Sequence, residues 1–384
     1  MIITLGTNQL LKMMRRNVDK EDILISKGGR VYKSSRTLQL DKGQDHVDQG
    51  HYIKSDGQRV DWVVALDGHG NNSCINIVRK ANMGEIMASE NPAQQLQDLI
   101  DADRISSPTT KLHSGATFIC AKMCEKDDTV GLDIAYAGDS IAIVILNGQH
   151  ILTTEPHTLN NAKHMMRLIQ KGIISASDPI HIEANSFELV NSDTLISKAG
   201  EYAKLLTHQE PCGYVKMAPT NSIGHNGLYG SLDIDTVRLN FKKTDTVRVI
   251  LMSDGVSDVV DSGDKIFVEA VSTTDIVNYA HDRWRQTWNY LSDGNFSNVR
   301  QTKFPKNGYD DCCAAMIERK PYVEPAPEPE PEPAPEPAPM IDINDISLVN
   351  DPQDIVRVIL NNIENRNEEV VESLKESAET NVSS

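Results

Sequence analysis

Only Gly138-Asp139-Ser140 separates two runs of strand character, Leu132 to Ala137 and Ile141 to Leu146. Three residues cannot carry a parallel crossover, which needs about a dozen or more. The pair therefore reads as an antiparallel hairpin, and a purely parallel βαβ layout is excluded. Further β-type runs at Val60 to Leu66, Thr117 to Lys122 and Val247 to Met252 make the core sheet-rich. Helical patterns fall between them, at Ser73 to Glu90, at Leu159 to Lys171 with Gly172 as its stop, and at Thr274 to Leu291. The stretch from Ile173 to Tyr229 is rich in Ser, Asn and Gly without clear periodicity, so partly irregular structure lying over the sheets is expected. The class is α+β.

A chain of 384 residues with a hydrophobic fraction of 39% can bury a core without staples. Its six cysteines include no CxxC pair with His partners at zinc-site spacing, and the opening MIITLGTNQLLKMMRRN lacks the apolar core of a secretory signal. These features predict free thiols and an intracellular, cytoplasmic protein, without excluding the nucleus. No apolar run reaches eighteen residues, so no membrane span is expected. Three Lys/Arg against fifteen Asp/Glu fall between Pro321 and Ser384, so twelve of the seventeen net negative charges lie there and five remain for residues 1 to 320. Nothing in that mildly acidic part resembles the basic stripe of a nucleic-acid binder.

The charge divides the chain into a folded domain over 1–320, a Pro/Glu linker over 321–340 and an acidic tail over 341–384. EPAPEPEPEPAPEPAP, residues 324 to 339, favours an extended polyproline II rod. Beyond it, Ile355, Ile359, Ile363, Val370 and Leu374 share one helical face after Asp351-Pro352. That face is either a docking or oligomerising helix for a protein partner or part of a mostly disordered tail.

Acids recur where strands end. VVALDGHG puts Asp67 directly after an apolar run and beside Gly68 and Gly70, which leave room for a carboxylate and a carbonyl to approach one small cation. One such match is most often an ordinary Asp-Gly turn. The pattern returns in AYAGDS at Asp139, in ILMSDG at Asp254 and in YDDCCAAMI at Asp310 and Asp311. Carboxylate and carbonyl ligands without Cys or paired His suit Mg²⁺ or Mn²⁺ rather than Zn²⁺. Two such ions about 3.5–4 Å apart serve phosphomonoester hydrolysis.

The order of these motifs resembles the metal-dependent protein phosphatase family, type 2C. GQDHV at Gly43 to Val47 resembles its first acidic motif and DGHG at Asp67 to Gly70 its second. HSGATFICAKM, AGDSIAIVI, TTEPHTLNN, MSDGVSDVV and YDDCCAAMI follow in family order, covering roughly residues 36 to 318. The resemblance implies a central sandwich of two antiparallel sheets flanked by helices, and hydrolysis of phosphoserine and phosphothreonine in phosphorylated proteins. It implies two metals bridged by Asp67, with the Gly68 carbonyl on one and Asp254 and Asp310 on the other. Asp139 with Asp254 matches a third position, Asp45 lies beside the site, and His69 matches the general acid.

Departures bear on activity. Gln44 stands where many members carry an acid, and the family's phosphate-gripping arginine falls near Leu40, leaving Lys42 and Arg36 as the nearest cations. A lysine lacks the bidentate fork, so weaker phosphate binding or an inactive, scaffolding relative is the alternative. The Ala-Leu-Gly-Asp segment appears only as Ser222-Ile223-Gly224-His225. Cys312-Cys313 reads as a strand pair with one side chain on each face. His157 is expected to order a turn, His113 and His164 show no partner signal, and Asp258 is expected to bond a neighbouring loop rather than a metal. DRWRQTW reads as one helical surface with Trp284 and Trp288 on adjacent turns.

Overall fold

The structure is a computed structural model, described for residues 19–25, 29–40, 42–106, 114–174, 185–199, 203–206, 214–225, 232–292 and 299–321. The expected linker and tail helix lie outside the described residues, as does His113.

Two antiparallel sheets stack face to face. One has six strands in the order β1 (Asp19–Ile25), β2 (Gly29–Leu38), β19 (Cys312–Pro321), β16 (Val247–Met252), β8 (Ile141–Leu146) and β9 (Gln149–Thr153). The other has seven: β14 (Ile223–Gly224), β5 (Ser114–Ala116), β4 (Arg59–Gly70), β6 (Phe118–Lys126), β7 (Thr129–Ala137) and β15 (Asp235–Lys242), with β3 (Asp45–Ile53) also paired to β4. Every pairing within these two sheets is antiparallel.

Alternation along the central strands builds three layers of core. Val247, Val249 and Leu251 of β16 meet Val63, Ala65, Ile119 and Ala121 between the sheets. Ile250 and Met252 point the other way, onto Ile276, Val277, Ala280 and Trp284 of the helix Thr273–Arg285. On the far side, Trp62, Val64 and Leu66 of β4 pack against Ile75, Met87 and Leu96 from the helices Ser73–Val78, Met83–Ala88 and Pro92–Ser106. With both faces covered, a strand such as VRVILM is apolar throughout rather than alternating. Each such buried aliphatic side chain contributes about 1.5–3 kcal/mol. Cys313 lies in the inter-sheet core and Cys312 in the outer one, one on each face as expected.

The link Gly138-Asp139-Ser140 is not a hairpin turn. β7 pairs with β6 and β15 in the seven-stranded sheet, whereas β8 pairs with β9 and β16 in the six-stranded one. The chain crosses between layers here, because three residues also span the roughly 10 Å between stacked sheets. Gly138 makes the bend with φ 119°, and a Cβ there would lie 2.7 Å from the Thr117 Cβ.

Three helical expectations change as well. Ser73 to Glu90 breaks into Ser73–Val78 and Met83–Ala88, each burying its own short apolar face. The helix Ala162–Gln170 ends as expected, with Gly172 at φ 70°. The third begins at Thr273 under a Ser272/Asp275 capping box and stops at Arg285, after which Gln286 is extended and Trp288–Leu291 is a strand. Trp284 and Trp288 therefore occupy different elements and meet through Phe304, at 4.9 and 6.4 Å between ring centroids. Between Ile173 and Tyr229 the described residues include strands. β10 (Asn185–Asn191) and β11 (Thr194–Ala199) join β17 (Trp288–Leu291) and β18 (Val299–Thr302) in a small sheet, while β12 (Ala203–Leu206) pairs with β13 (Tyr214–Met217).

Candidate active site

Asp67 sits within a strand rather than after one. β4 continues through Gly68 and His69 to Gly70, but its partner changes: Ala65 faces Ile119 of β6, and Gly68 faces Ala116 of β5. Thr117 fills the switch. Its N–H donates to the Asp67 carbonyl at 2.8 Å, and its Oγ1 accepts from the Asp67 N–H at 2.9 Å. That hydroxyl also lies 2.7 Å from Ser140 Oγ, tying Asp67 to the crossing that carries Asp139. Gly68 is required by close approach, since a Cβ would meet the Gln44 carbonyl at 2.8 Å.

The other acids arrive from both sheets. Asp45 stands opposite Asp67 in the β3/β4 register, 2% exposed, and accepts from Ser253 Oγ at 3.0 Å. Asp254 opens the short helix Asp254–Ser257 just after β16, and its carboxyl lies close enough to that of Asp67 to raise the Asp67 pKa. Asp310 precedes β19 and holds Lys42 Nζ at 2.7 and 2.8 Å. Lys42, Asp67, Gly68, His69, Asp139, Asp254 and Asp310 line one cleft of about 670 Å³, and Asp45 is buried behind it. Arg36 does not line this cleft; its guanidinium is bound to Asp19 at 3.0 Å, further back along β2. Asp258 is exposed in the adjoining cleft with Asp139 and Asp254, and among the described residues its carboxylate accepts no hydrogen bond, contrary to expectation.

Crowded carboxyls resist ionisation. Desolvation, then the charge of Asp254, raises Asp67 well above the usual carboxylate range. Desolvation, then Asp311 and Asp310, does the same to Asp45, while desolvation and Asp254 push Asp139 up to about 8. Asp254 is raised by desolvation and then by Asp310. Burial pulls Lys42 down, but Asp310 offsets this and leaves it raised. Among the described residues, Asp45 Oδ1 and Asp254 Oδ1 are buried acceptors without a hydrogen-bond partner. Such a group fits divalent cations: orphaned hard oxygens, mutual repulsion and no thiolate. Among the described residues, however, no three His, Cys, Asp or Glu side chains are grouped closely enough to hold a metal ion by themselves.

Several supports carried little signal in the sequence. Asp311 accepts from the Leu40 and Gln44 N–H groups at 2.6 and 2.8 Å, fixing the loop that bears Lys42. Arg79 donates to the Gly43 and Asp45 carbonyls, both at 2.9 Å. His157 orders the crossing: its N–H donates to the Gly138 carbonyl at 2.8 Å and its Nδ1 accepts from the Gly138 N–H at 3.3 Å. His164, without a partner signal in the sequence, stacks on His157 at 4.3 Å. His225 stacks on His69 at 4.8 Å.

Asp235 anchors the His157 cluster, accepting from His157 Nε2 at 3.3 Å and from Arg167 at 2.5 and 2.9 Å. The His157 bond first, and then Arg167 against opposing desolvation, holds its carboxyl well below the usual range. A depressed carboxylate stabilises the fold above its unfolded pKa of about 3.9 and loses that contribution as pH falls toward the folded value. Asp235→Asn should therefore lower the urea midpoint at pH 7, with the gap to the unsubstituted protein shrinking below about pH 4.

Residues 46–176 match the Protein phosphatase 2C family model. No curated protein matches the chain. Among solved structures, it is similar to a serine-threonine phosphatase 2C from Toxoplasma gondii at 12% identity and a TM-score of 0.46, over 79% of this chain and 99% of that one. It is similar to the serine/threonine phosphatase PstP/Ppp of Mycobacterium tuberculosis at 14% identity and a TM-score of 0.43, over 76% and 99%. With Stp1 of Staphylococcus aureus it shares 17% identity at a TM-score of 0.37, over 76% and 95%. The family-model match spans residues 46–176, and over that segment the chain is similar to protein phosphatase 2C.

Proposed function

We propose that the domain is a Mg²⁺- or Mn²⁺-dependent protein serine/threonine phosphatase with its centre in the acidic cleft. One observation carries the reading: Asp67, Asp139, Asp254 and Asp310 converge on one cleft, where Asp254 Oδ1, and Asp45 Oδ1 behind it, are buried without a hydrogen-bond partner among the described residues. Asp67 and the Gly68 carbonyl would hold the ions together with Asp254 and Asp310, while Asp139 with Asp254 would take a third and Asp45 would support them from behind. Bound there, the cations would activate a water and screen its approach to a phosphate dianion. The chain's own residues do the rest. Lys42 attracts the phosphate as a point charge. His69 gives a proton to the serine or threonine oxygen as its bond to phosphorus breaks, and regains it from solvent. Burial first, then His225 and Lys42, holds the His69 pKa well below its ordinary value.

A second reading, a scaffold that keeps the fold without turnover, is favoured by Lys42. Among the described residues it is the one cation lining the cleft, and Asp310 already holds it. Calorimetric titration with Mn²⁺ separates the two. The phosphatase reading expects binding that Asp254→Asn weakens at least tenfold, whereas no binding at millimolar Mn²⁺ leaves only the scaffold.

A further inference from the structure

We propose that His225 is a positioning residue for His69, donating from its Nε2–H to His69 Nδ1 and so holding the His69 proton on Nε2, the nitrogen that serves the leaving oxygen. The inference rests on the reading of His69 as the proton donor.

Three neighbouring strands bring the rings together. In the β14–β5–β4 register Gly224 stands opposite Gly115, and Gly115 opposite His69. Gly115 has no side chain to keep them apart: a Cβ there would lie 2.3 Å from His225 Nε2 and 2.8 Å from His69 Cε1. Gly224 is pinned from outside, its N–H donating at 2.7 Å to Gln97, a side chain only 2% exposed. With φ 51°, His225 adopts the left-handed region that non-glycine residues rarely occupy, and its ring lies over Gly115. The result is a buried imidazole stacked on His69 at an interplanar angle of 17°, with Nε2 3.2 Å from His69 Nδ1. A bare glycine, a left-handed residue and a buried glutamine all serve this one contact.

The chemistry of the contact depends on residue 225 being histidine. The resemblance set out from the sequence expects an aspartate at that position, and a carboxylate can only accept a hydrogen bond. A neutral imidazole can donate, and a donor facing Nδ1 leaves the neutral His69 ring its proton on Nε2. Among the described residues, His69 Nε2 is a buried atom without a hydrogen-bond partner, on a ring that lines the cleft. In the opposite tautomer the His69 proton would be committed to His225, and bare Nε2 could not protonate an alkoxide. As the phosphorus–oxygen bond breaks, its electron pair stays on the serine oxygen and takes the proton from Nε2, and the His69 ring, left anionic with the His225 N–H still bonded to Nδ1, regains a proton from water.

The test compares a phosphoserine peptide, whose leaving group needs a proton, with an aryl phosphate, whose phenolate leaves readily without one. With Mn²⁺ present, His225→Leu should lower the peptide-to-aryl kcat ratio about tenfold, less than the 10²–10⁴ of a general acid itself because His69 remains in place. His225→Gln, which places an amide N–H near the Nε2 position, should restore the ratio. Adding His225→Leu to His69→Ala should cost nothing further, because the two act as one unit. ¹⁵N-histidine spectra of the unsubstituted protein should show His69 protonated on Nε2. The proposal is overturned if both substrates slow equally, if the two losses multiply, or if His69 carries its proton on Nδ1. Should His225→Leu fail to fold, the glutamine variant and the spectrum still decide. If the unsubstituted protein turns over neither substrate, the phosphatase reading fails, and the spectrum alone judges the contact.

Discussion

Asp67→Asn is expected to lower Mn²⁺-dependent hydrolysis on the order of a thousandfold, the scale of losses when one member of a catalytic unit is removed. Asp67 is the acid reached from every side: Asp45 opposes it in register, the Asp254 carboxyl lies close enough to raise its pKa, and Thr117 fixes its backbone. No neighbouring carboxylate can replace it, because each is held by a different element. The same substitution should raise the melting temperature in excess chelator at neutral pH, since it removes a buried acid whose raised pKa costs the fold stability there. Circular-dichroism melts run beside the assay separate this outcome from unfolding. A variant that melts early in chelator would show that Asp67 supports the fold more than the chemistry.

Gly255→Ala should have the largest effect on stability. A Cβ at residue 255 would lie 1.9 Å from the Asp311 carbonyl oxygen, and the obstacle is backbone, which cannot rotate away. Gly255 also offers its carbonyl to Trp284 Nε1 at 2.7 Å, so it cannot move outward without breaking that bond. Something must shift between the Asp254 helix and the Asp310-Asp311 segment. The expected cost is about 3 kcal/mol or more, a drop of roughly 5–10 °C in Tm. Metal binding should weaken with it, because Asp254 and Asp310 would be forced apart. A melt within about 1 °C of the unsubstituted protein would contradict the packing described here.

How well each feature could be read from sequence follows from the range of the forces involved. β16 was legible as Val247 to Met252 because both of its faces are covered, and Cys312-Cys313 because side chains alternate along any strand. The acids were legible because each borders a glycine or a strand end. What failed was information about layers. Three residues between two runs limit the connection length, yet they suit a crossing between sheets as well as a hairpin, and only Gly138 at φ 119° marks the difference. Trp288 continued a helical pattern that Gln286 breaks by turning extended. Lys42 and Arg36 both precede Asp45 along the chain, but strand direction carries Arg36 away to Asp19 while Asp310 draws Lys42 into the cleft. Asp311, Ser253 and His225 act across separations of 156 to 271 residues, beyond any local pattern.

The most direct measurement is phosphate release from a phosphoserine peptide by the full chain, with Mn²⁺, then in excess chelator, then after Mn²⁺ is restored. The account predicts turnover that chelation abolishes and restored Mn²⁺ recovers. Turnover that persists in excess chelator would contradict it.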